Sequence, residues 1–370
     1  MSAPLAGLKV VELARILAGP WIGQTLADLG AEVLKVESPQ GDDTRTWGPP
    51  FIDREDDHTA AYFHCTNRGK ESIAIDFTDE ADLAKLKTII VDADVLIENF
   101  KVGGLKKFGL DYESLQAANP KLVYCSVTGF GQDGPYASRA GYDFLIQGMS
   151  GIMSLTGEPD GPPQKIGVAF ADVFSGLYGV IGIQAALTER NTSGLGQHID
   201  ISLLDCMTGV LANQAMNYLA SGNTPKRLGN AHPNIAPYQT FATSDGDIIV
   251  ACGNDRQFSA LCGVLGLDHL GTDPKFATNP ERVSNRTVLT SLLGTAIQGW
   301  TKHDILQALE TAVVPAGPIN TVAEALNDPQ IVHRGLQITP EGVPGLRTPL
   351  SFSRSKLSLT RAAPKRPRRL

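Results

Sequence analysis

The chain has 370 residues, of which 42% are hydrophobic and 19% are charged, and this composition excludes intrinsic disorder and a fibrous repeat as the main structure. A formal net charge of -7 argues against a general nucleic-acid surface, because such a surface usually needs a clustered basic face and the sequence has one only at its last few residues. At roughly 100–200 residues per domain, the length predicts two or three domains.

The cysteines and the N-terminus indicate a compartment. The five cysteines are widely spaced and form no Cys-x-x-Cys pair, so we expect buried free thiols in a reducing environment. Lys9 and Glu12 interrupt the N-terminal segment before a long apolar run can build, which argues against a signal peptide. The longest apolar run, within residues 167–187, falls short of the roughly 20 residues of a membrane span. We therefore predict a soluble, cytoplasmic protein that binds neither membranes nor nucleic acid.

The first half of the chain alternates between strand and helix patterns. A β-branched run at 8–12, a helix that opens near Pro20 and a strand at 32–37 form a βαβ unit. Further strands lie in "SIAIDF", "DVLIENF" and "KLVYCSVTGF", with helices at about 79–90 and 111–118 between them. This alternation predicts an α/β fold with a Rossmann-like parallel sheet in a large domain of residues 1–200, completed by residues 330–370.

The second half has a different composition. Residues 201–234 combine a helix with a linker that is dense in proline, asparagine and glycine. Residues 235–320 predict a smaller α+β domain, in which "YQTFATSDGDIIVACG" forms a hairpin that turns at Asp245 and Gly246. We interpret residues 321–329 as a linker that returns to the large domain.

Two familiar kinds of site are not supported. The Gly129–Gly134 segment matches G-x-G-x-x-G, but Pro135 follows it and the chain continues as a loop, so no helix opens to receive a pyrophosphate. The seven histidines make no pair at metal-ligand spacing, so we expect no metal site. His64 and His232 are the histidines most expected in polar loops or clefts, although an isolated histidine is more often structural.

Asp172 is the one charged side chain in the run "GVAFADVFSGLYGVIGIQAAL" at 167–187. One interpretation is that it caps a helix that starts at Val173. The other is that it is a partly desolvated nucleophile or proton acceptor at the edge of an apolar wall, and both can hold at once. Glycines at 176, 179 and 182 favour tight helix packing, with the close approach of a long ligand as the alternative.

Several long segments then carry a resemblance that extends over nearly the whole chain. The chain resembles the family III CoA-transferases, which include formyl-CoA and carnitine-CoA transferases and, as a divergent branch, α-methylacyl-CoA racemase. The segments are "LAGPWIGQTLADLGAEVLKVESPQGDDTR", "NRGKESIAIDF", "DVLIENF", "VTGFGQDGPYASRAGYD", "GVAFADVFSG", "SGLGQHIDISLLD" and "PAGPINTVAEALNDPQ".

The resemblance implies a covalent mechanism at Asp172. The carboxylate attacks the thioester of an acyl-CoA, and the acyl-aspartyl anhydride then reacts with CoA thiolate to give an aspartyl-CoA thioester. An ionised carboxylate needs no separate base, and a dry pocket would raise its reactivity. Backbone N–H groups of a glycine-bearing loop are candidate donors to the developing oxyanions. No cofactor is implied, because coenzyme A and its acyl esters are the substrates.

The resemblance also implies the CoA-binding residues. Ile75, Asn99 and Phe100 would flank the nucleotide and pantetheine, Lys107 would meet a phosphate, and Tyr142 and Asp143 would lie near the reacting end. The chain departs from the family pattern at three positions where some transferases carry polar or basic residues, namely Leu17, Ser38 and Ala140. Arg15 and Arg45 are candidates to compensate as anion binders, and solvated surface arginines are the alternative for each.

Three functions remain open at this point. CoA transfer between an acyl-CoA and a carboxylic acid is favoured, and the arginines favour a dicarboxylate such as succinate. An acyl-CoA racemase is the first alternative, but Tyr142 stands where that branch has a histidine, and a phenol of ordinary pKa about 10 is a poor base. Residues 225–240 lack the glycine-rich loop of formyl-CoA transferases, so formate and oxalate are not expected substrates. A non-catalytic CoA-binding protein is the second alternative.

The resemblance further implies a ring-shaped protomer in an interlocked homodimer. The C-terminus departs from the family, because it is basic and interrupted by proline. We expect Lys365, Arg366, Arg368 and Arg369 to form a solvated, disordered end.

Overall fold

A computed structural model describes residues 2–367. Contacts divide the chain into two compact units. The first unit contains the chain up to Met153, Lys165–Asn223 and the chain from Pro329 onward, and the second contains Ser154–Gln164 and Thr224–Asp328. Residues 154–164, which the sequence analysis placed in the large domain, group with the second unit.

The strands of the first half build a parallel sheet, as the alternation predicted. Six of them are hydrogen-bonded side by side in the order β5-β2-β1-β6-β7-β8, and every pairing is parallel. Two others, β3 and β4, form a separate antiparallel hairpin. The bounds are β1 (Lys9–Glu12), β2 (Glu32–Glu37), β3 (Phe51–Arg54), β4 (Asp57–Ala60), β5 (Glu71–Ala74), β6 (Val95–Glu98), β7 (Val123–Thr128) and β8 (His198–Ser202).

Helices cover both faces of this sheet, so its β-branched strands are buried on both sides. Val10 on one face and Val11 on the other belong to two different apolar clusters. The helices of the first half are α1 (Ala18–Asp28), α2 (Ala61–His64), α3 (Glu80–Val91), α4 (Tyr112–Leu115), α5 (Asp143–Met149), α6 (Ile152–Leu155), α7 (Phe170–Ser193), α8 (Leu203–Gly209) and α9 (Ala212–Ser221).

Helices α1 and α7 cross at the glycines of α7. A Cβ atom at Gly179 would lie 2.3 Å from Ile22 Cδ1, and one at Gly176 would lie 2.9 Å from Trp21 Cδ1. The close-packing interpretation of these glycines is confirmed. Within residues 2–367, α7 is also the one helix whose length and hydropathy would allow it to cross a membrane. It has 24 residues, which is longer than the apolar run in the sequence indicated. Its glycine-bearing side packs against α1 in the core of the first unit.

The second unit is built on an antiparallel sheet of three strands in the order β11-β10-β9. The predicted hairpin is confirmed, because Thr243 pairs with Gly246 across the turn and Gly246 has a φ of 140°. The elements are β9 (Tyr238–Thr243), β10 (Gly246–Ala251), α10 (Asp255–Val264), α11 (Asp268–Thr272), α12 (Asn279–Ser284), α13 (Arg286–Ile297), α14 (Lys302–Thr311), β11 (Ala316–Pro318) and α15 (Val322–Asn327). A separate apolar core includes Phe258, Leu293 and Ile305.

After the second unit the chain returns to the first unit. The elements there are α16 (Pro329–His333), β12 (Gln337–Ile338) and β13 (Gly345–Leu346). Lys365 and Arg366 are exposed, as expected, but the expected disorder is wrong for them, because the Arg366 N–H donates to Asp57 Oδ1 at 3.1 Å and Arg45 donates to the neighbouring Pro364 carbonyl at 3.3 Å. Arg368 and Arg369 lie outside the described residues.

The cysteines follow the prediction with one exception. All five are free, and four of them are buried in the cores of the two units. Cys65, which directly follows α2, is exposed, so it is not the buried thiol that its apolar context indicated.

Candidate active site

A cavity of about 410 Å³ opens at the carboxyl edge of the parallel sheet in the first unit. Its walls come from the segments that follow β1, β6 and β7, together with the first turn of α7. In open α/β sheets this edge is where ligands bind. We call it the Asp172 cavity, and its lining includes Arg15, Ile16, Leu17, Ala18, Asn99, Phe100, Lys101, Thr128, Gly129, Arg139, Gly141, Tyr142 and Asp172.

Asp172 lies in the first turn of α7 but does not cap it. The helix begins at Phe170, and the preceding residue, Ala169, makes no side-chain cap hydrogen bond. Asp143 supplies an acceptor instead, because its Oδ1 accepts the Ala171 N–H at 2.8 Å. The capping interpretation of Asp172 was therefore wrong by three residues, and Asp172 instead lines the cavity.

The surroundings of Asp172 change its protonation. Burial, with the nearby charge of Asp143 as the smaller cause, raises the pKa of Asp172 from 3.8 to about 7. Near neutral pH the side chain is therefore divided between carboxylic acid and carboxylate. An ionised carboxylate in such a site has lost much of its hydration, which favours its use as a nucleophile.

Tyr62 is a neighbour that the sequence did not single out. Burial, followed by the charge of Asp172, raises the pKa of Tyr62 to about 12. Its phenol therefore stays protonated and can act as a hydrogen-bond donor near the carboxylate. The segment around it, "TAAYFHCTN", gave no signal of this role, because it resembles an ordinary half-buried helix.

The structure brings four of the predicted binding residues into the Asp172 cavity. These are Arg15, Asn99, Phe100 and Tyr142. The Asn99 side chain holds the backbone of Arg15 from both sides, since its Oδ1 accepts the Arg15 N–H at 2.9 Å and its Nδ2 donates to the Arg15 carbonyl at 2.7 Å. The Arg15 guanidinium is 5.8 Å from the centre of the Phe100 ring and forms an ion pair of 3.1 Å with Asp43.

Other predicted residues do not line this cavity. Ile75 is 2% exposed in the core, and the Lys107 ammonium lies 4.7 Å from the centre of the Phe108 ring. Asp143 acts indirectly, through the backbone of α7. Arg45 is buried and its guanidinium makes two hydrogen bonds of 2.7 Å to Glu37. The interpretation of Arg45 as an anion binder was therefore wrong, because its charge is already used inside the fold.

Arg139 is an arginine of the Asp172 cavity that the sequence analysis missed. Its guanidinium carbon lies 4.6 Å from the centre of the Tyr136 ring and 5.2 Å from that of Phe130. Among the described residues it forms no ion pair, in contrast to Arg15. A guanidinium held on two rings without a carboxylate partner is suited to receive an anion.

The G-x-G-x-x-G segment has a structural explanation. A Cβ atom at Gly129 would lie 2.6 Å from the Gly141 Cα atom, so the two backbones touch where the loop closes on itself. No helix opens until Asp143, as predicted. This loop therefore shapes the rim of the Asp172 cavity, and it lacks the helix start that holds a dinucleotide.

Sheet and cavity together define the chain as an α/β protein with an acidic side chain and arginines in a cavity at the carboxyl edge of its parallel sheet. Residues 5–367 match CoA-transferase family III, and the chain belongs to this family and is a CoA-transferase. Within the part of the chain that the structure describes, no group of three or more potential metal ligands is found.

Similar proteins extend over almost the whole chain. It is 55% identical over 370 residues to succinate–glutarate CoA-transferase from Agrobacterium fabrum, with 98% of this chain and 92% of that protein covered. It is 40% identical over 369 residues to human succinyl-CoA:glutarate CoA-transferase, with 98% and 83% covered. The crystal structure of a CaiB/BaiF family protein from Brucella suis superposes with a TM-score of 0.91 at 64% identity, covering 100% of this chain and 97% of that one.

Proposed function

We propose that this CoA-transferase exchanges coenzyme A between dicarboxylic acids, with succinyl-CoA as donor and glutarate as acceptor. The names of two similar enzymes, at 55% and 40% identity, support this substrate pair. Arg139, which has no carboxylate partner among the described residues, supports an anionic acyl group or acid in the Asp172 cavity. The single observation that carries the proposal is the Asp172 carboxylate, which faces this cavity and is not used as a helix cap.

The proposed chemistry has four steps. A carboxylate oxygen of Asp172 attacks the thioester carbonyl carbon, the C–S bond breaks, and CoA leaves as thiolate from a succinyl-aspartyl anhydride. The thiolate then attacks the aspartyl carbonyl, which releases succinate and forms an aspartyl-CoA thioester. Glutarate attacks this thioester and expels the thiolate again, giving a second anhydride. Attack of the thiolate on the glutaryl carbonyl forms glutaryl-CoA and returns the Asp172 carboxylate.

The neighbouring residues have supporting roles in this proposal. Asn99, Phe100 and Tyr142 form walls for the pantetheine arm, and Arg139 receives an anionic group. The N-terminus of α1 has no side-chain cap, so its free N–H groups are candidate donors to the oxyanions. Arg15 is retained as a binding residue, and Ile75 and Lys107 stay predictions for the nucleotide end of CoA, outside the cavity.

Mass spectrometry of a trapped intermediate tests the proposal. Incubation with succinyl-CoA and hydroxylamine should produce a hydroxamate at Asp172, because hydroxylamine intercepts both the anhydride and the thioester. Asp172→Asn should give no adduct and should lower the transfer rate at least about a thousandfold, as expected for a lost covalent nucleophile. Asp133→Asn, which changes an exposed aspartate in the loop after β7, is the control. Transfer at an undiminished rate by Asp172→Asn would refute the mechanism.

The racemase alternative is less supported. Proton transfer at the α-carbon needs a second proton carrier, and the residue at the expected position, Tyr142, is 66% exposed. The similar proteins named above are CoA-transferases. Incubation of an α-branched acyl-CoA in heavy water distinguishes the two functions, since only a racemase would introduce deuterium at the α-carbon.

We also propose that the chain assembles as an interlocked homodimer. Apolar side chains on two helices of the first unit are exposed in the single chain, namely Leu177 (41%), Ile181 (61%), Met216 (59%) and Leu219 (71%). Such surface usually marks a protein contact. Light scattering should give twice the chain mass of 39.4 kDa, and a mass of one chain at micromolar concentration would reject the dimer. The cytoplasmic location stays a prediction.

A further inference from the structure

The short turn between β1 and α1 has an unusual backbone. Ile16 has a φ of 72°, in the left-handed region that β-branched residues rarely adopt. This turn is part of the wall of the Asp172 cavity, where Arg15, Ile16 and Leu17 all contribute to the lining. An unfavourable backbone conformation persists only where the surrounding structure imposes it, and such conformations cluster at functional sites.

Hydrogen bonds from three directions impose this conformation. Asn99 binds both backbone groups of Arg15, as described above. The Asp42 Oδ2 atom accepts the N–H of Ile16 at 3.3 Å. Lys35 donates from its Nζ atom to the Ala14 carbonyl at 2.8 Å. The turn is thus hydrogen-bonded to the side-chain amide of Asn99 on one side and to the charged side chains of Asp42 and Lys35 on the other.

The two charged side chains are themselves fixed by burial. Lys35 is 0% and Asp42 is 2% exposed, and they form an ion pair of 3.0 Å. Lys35 also contacts Glu12 Oε1 at 3.2 Å, and Asp42 Oδ1 accepts the Thr44 N–H at 3.0 Å. The bonds from Lys35 and Thr44 restrict the Asp42 carboxylate to one orientation, so its Oδ2 atom is a rigid acceptor for the turn.

We infer that Asp42 is a positioning residue of the Asp172 cavity: its buried carboxylate, held by Lys35, binds the Ile16 amide and maintains the left-handed turn that forms one wall of the acyl-CoA site. This inference rests on the proposed function, because it assumes that acyl-CoA occupies this cavity. Asp42 does not touch the ligand and acts through the backbone of Ile16.

The consequence for the reaction follows from where the turn leads. Leu17 and Ala18 start α1 and lie in the same cavity as Asp172. If Ile16 relaxed to a right-handed conformation, the cavity wall and the start of α1 would move relative to the carboxylate. Reacting groups misplaced by about 1 Å can cost about a hundredfold in rate. Loss of the turn should therefore lower kcat/KM and weaken CoA binding, in addition to lowering the stability of the fold.

The first test compares Asp42→Asn with Asp28→Asn. Asp28 also sits in a buried ion pair of the first unit, at 2.6 Å from Arg68, but it lies at the far end of α1 and does not line the Asp172 cavity. Both variants should lose stability in urea. Asp42→Asn should in addition lower kcat/KM for succinyl-CoA at least tenfold and weaken the affinity for free CoA in calorimetry. Asp28→Asn should keep both within twofold. Equal effects of the two variants on CoA affinity and kcat/KM would overturn the inference.

The second test does not require Asp42→Asn to fold. Ile16→Gly and Ile16→Ala remove the same apolar side chain, but only glycine adopts a left-handed φ without strain. Ile16→Gly should therefore unfold at a higher urea concentration than Ile16→Ala, opposite to the usual order of the two residues. Where Asp42→Asn does fold, the kcat/KM loss that it causes should also be smaller in the Ile16→Gly background. The usual order, with alanine more stable, would reject the strained turn.

The two proposals fail in different ways. If Asp172→Asn transferred CoA at the normal rate, the covalent mechanism would be wrong, but the CoA affinity of Asp42→Asn would still report on the turn. If the wild-type protein bound no CoA at all, the proposed function would fail, and the order of the two Ile16 variants would still decide whether the turn is strained.

Discussion

At Asp172 burial has two opposing effects on reactivity. The carboxylate loses hydration, which makes each ionised molecule more reactive, yet the raised pKa of about 7 reduces the ionised fraction at neutral pH. The nearby charge of Asp143 adds to the second effect. Enzymes commonly shift the pKa of a nucleophile or base to a value near the pH at which they work, and the raised pKa of Asp172 fits that pattern.

The first prediction concerns the pH dependence of transfer. In the proposed mechanism the Asp172 carboxylate is the nucleophile, so kcat/KM for succinyl-CoA should rise with pH and level off above an apparent pKa near 7. Removal of the like charge in Asp143→Asn should lower this apparent pKa by about half a unit or more. Asp133→Asn is the matched control and should leave the profile unchanged. A rate that is constant between about pH 5 and 8.5 would contradict this assignment.

A second prediction follows for stability. A carboxyl whose pKa is raised from 3.8 to about 7 on folding costs stability progressively as pH rises from 3.8 to about 7, because over this range the unfolded chain is ionised while the folded carboxyl is still protonated; above about 7 the cost levels off. Asp172→Asn removes this penalty. We expect the variant to be more stable than the wild type at pH 8 by about 1–2 kcal/mol, less than the full shift implies because the side chain faces an open cavity.

Urea unfolding at two pH values measures this difference. Near pH 4 the folded carboxyl is protonated and that of the unfolded chain is only about half ionised, so the gap between wild type and Asp172→Asn should shrink to a small fraction of its size at pH 8. An equal gap at pH 4 and pH 8 would show that packing or hydrogen bonding of the asparagine, and not ionisation, determines the effect.

At the scale of elements, local sequence patterns were sufficient to predict the strands of the parallel sheet. β1, β2 and β6 are short β-branched runs, and burial on both faces of a parallel sheet leaves little alternative for such runs. The start of α7 was different. Its cap comes from Asp143, 28 residues earlier in the chain, so no local pattern near Asp172 could show that the helix begins at Phe170.

The crossing of α1 and α7 gives the third prediction. A Cβ atom at Gly176 would lie 3.0 Å from Trp21 Cβ and 3.1 Å from the Ala18 carbonyl oxygen, and neither atom can move without shifting α1. Gly176→Ala should therefore lower the free energy of unfolding by about 1–3 kcal/mol, despite the better helix propensity of alanine. Gly294→Ala in α13 is the control, because a Cβ atom there meets nothing within 4 Å. That variant should gain about 0.5–1 kcal/mol. A neutral or stabilising Gly176→Ala would show that the helices separate easily.

At the scale of the whole molecule, the Asp172 cavity combines segments that are far apart in sequence. The resemblance brought Arg15, Asn99, Phe100 and Tyr142 together, and spacing alone would not have done so. Arg139 was missed because its importance depends on the absence of a carboxylate partner among the described residues, and only the packing of the folded chain shows that absence. The left-handed turn at Ile16 was equally invisible, since isoleucine gives no sign of such a conformation.

The C-terminal segment shows how composition can mislead. Lysines, arginines and prolines indicated a solvated, disordered end. The Lys365 and Arg366 side chains are indeed exposed, but the backbone of this segment is held in place because it supplies acceptors to two arginines of the first unit. Arg45 donates to the Pro364 carbonyl at 3.3 Å, and Arg54 donates to the Ala363 carbonyl at 2.9 Å. Arg45 is also paired with Glu37, so the segment closes one side of a buried ionic cluster.

The last prediction concerns removal of this segment. Truncation after Thr360 would expose apolar surface now covered by Ala362 and Ala363, and it would leave two largely buried guanidinium groups without their carbonyl acceptors. We expect a loss of about 2–4 kcal/mol in the free energy of unfolding, measured in urea. Lys365→Ala is the control, because its ion pairs with Glu55 and Asp56 are exposed and such pairs contribute little. If Lys365→Ala destabilised the protein as much as the truncation, surface charge would hold the segment. If the truncation did not change the free energy of unfolding, the segment would contribute no stability, and the hydrogen bonds to Glu37 would be sufficient for Arg45.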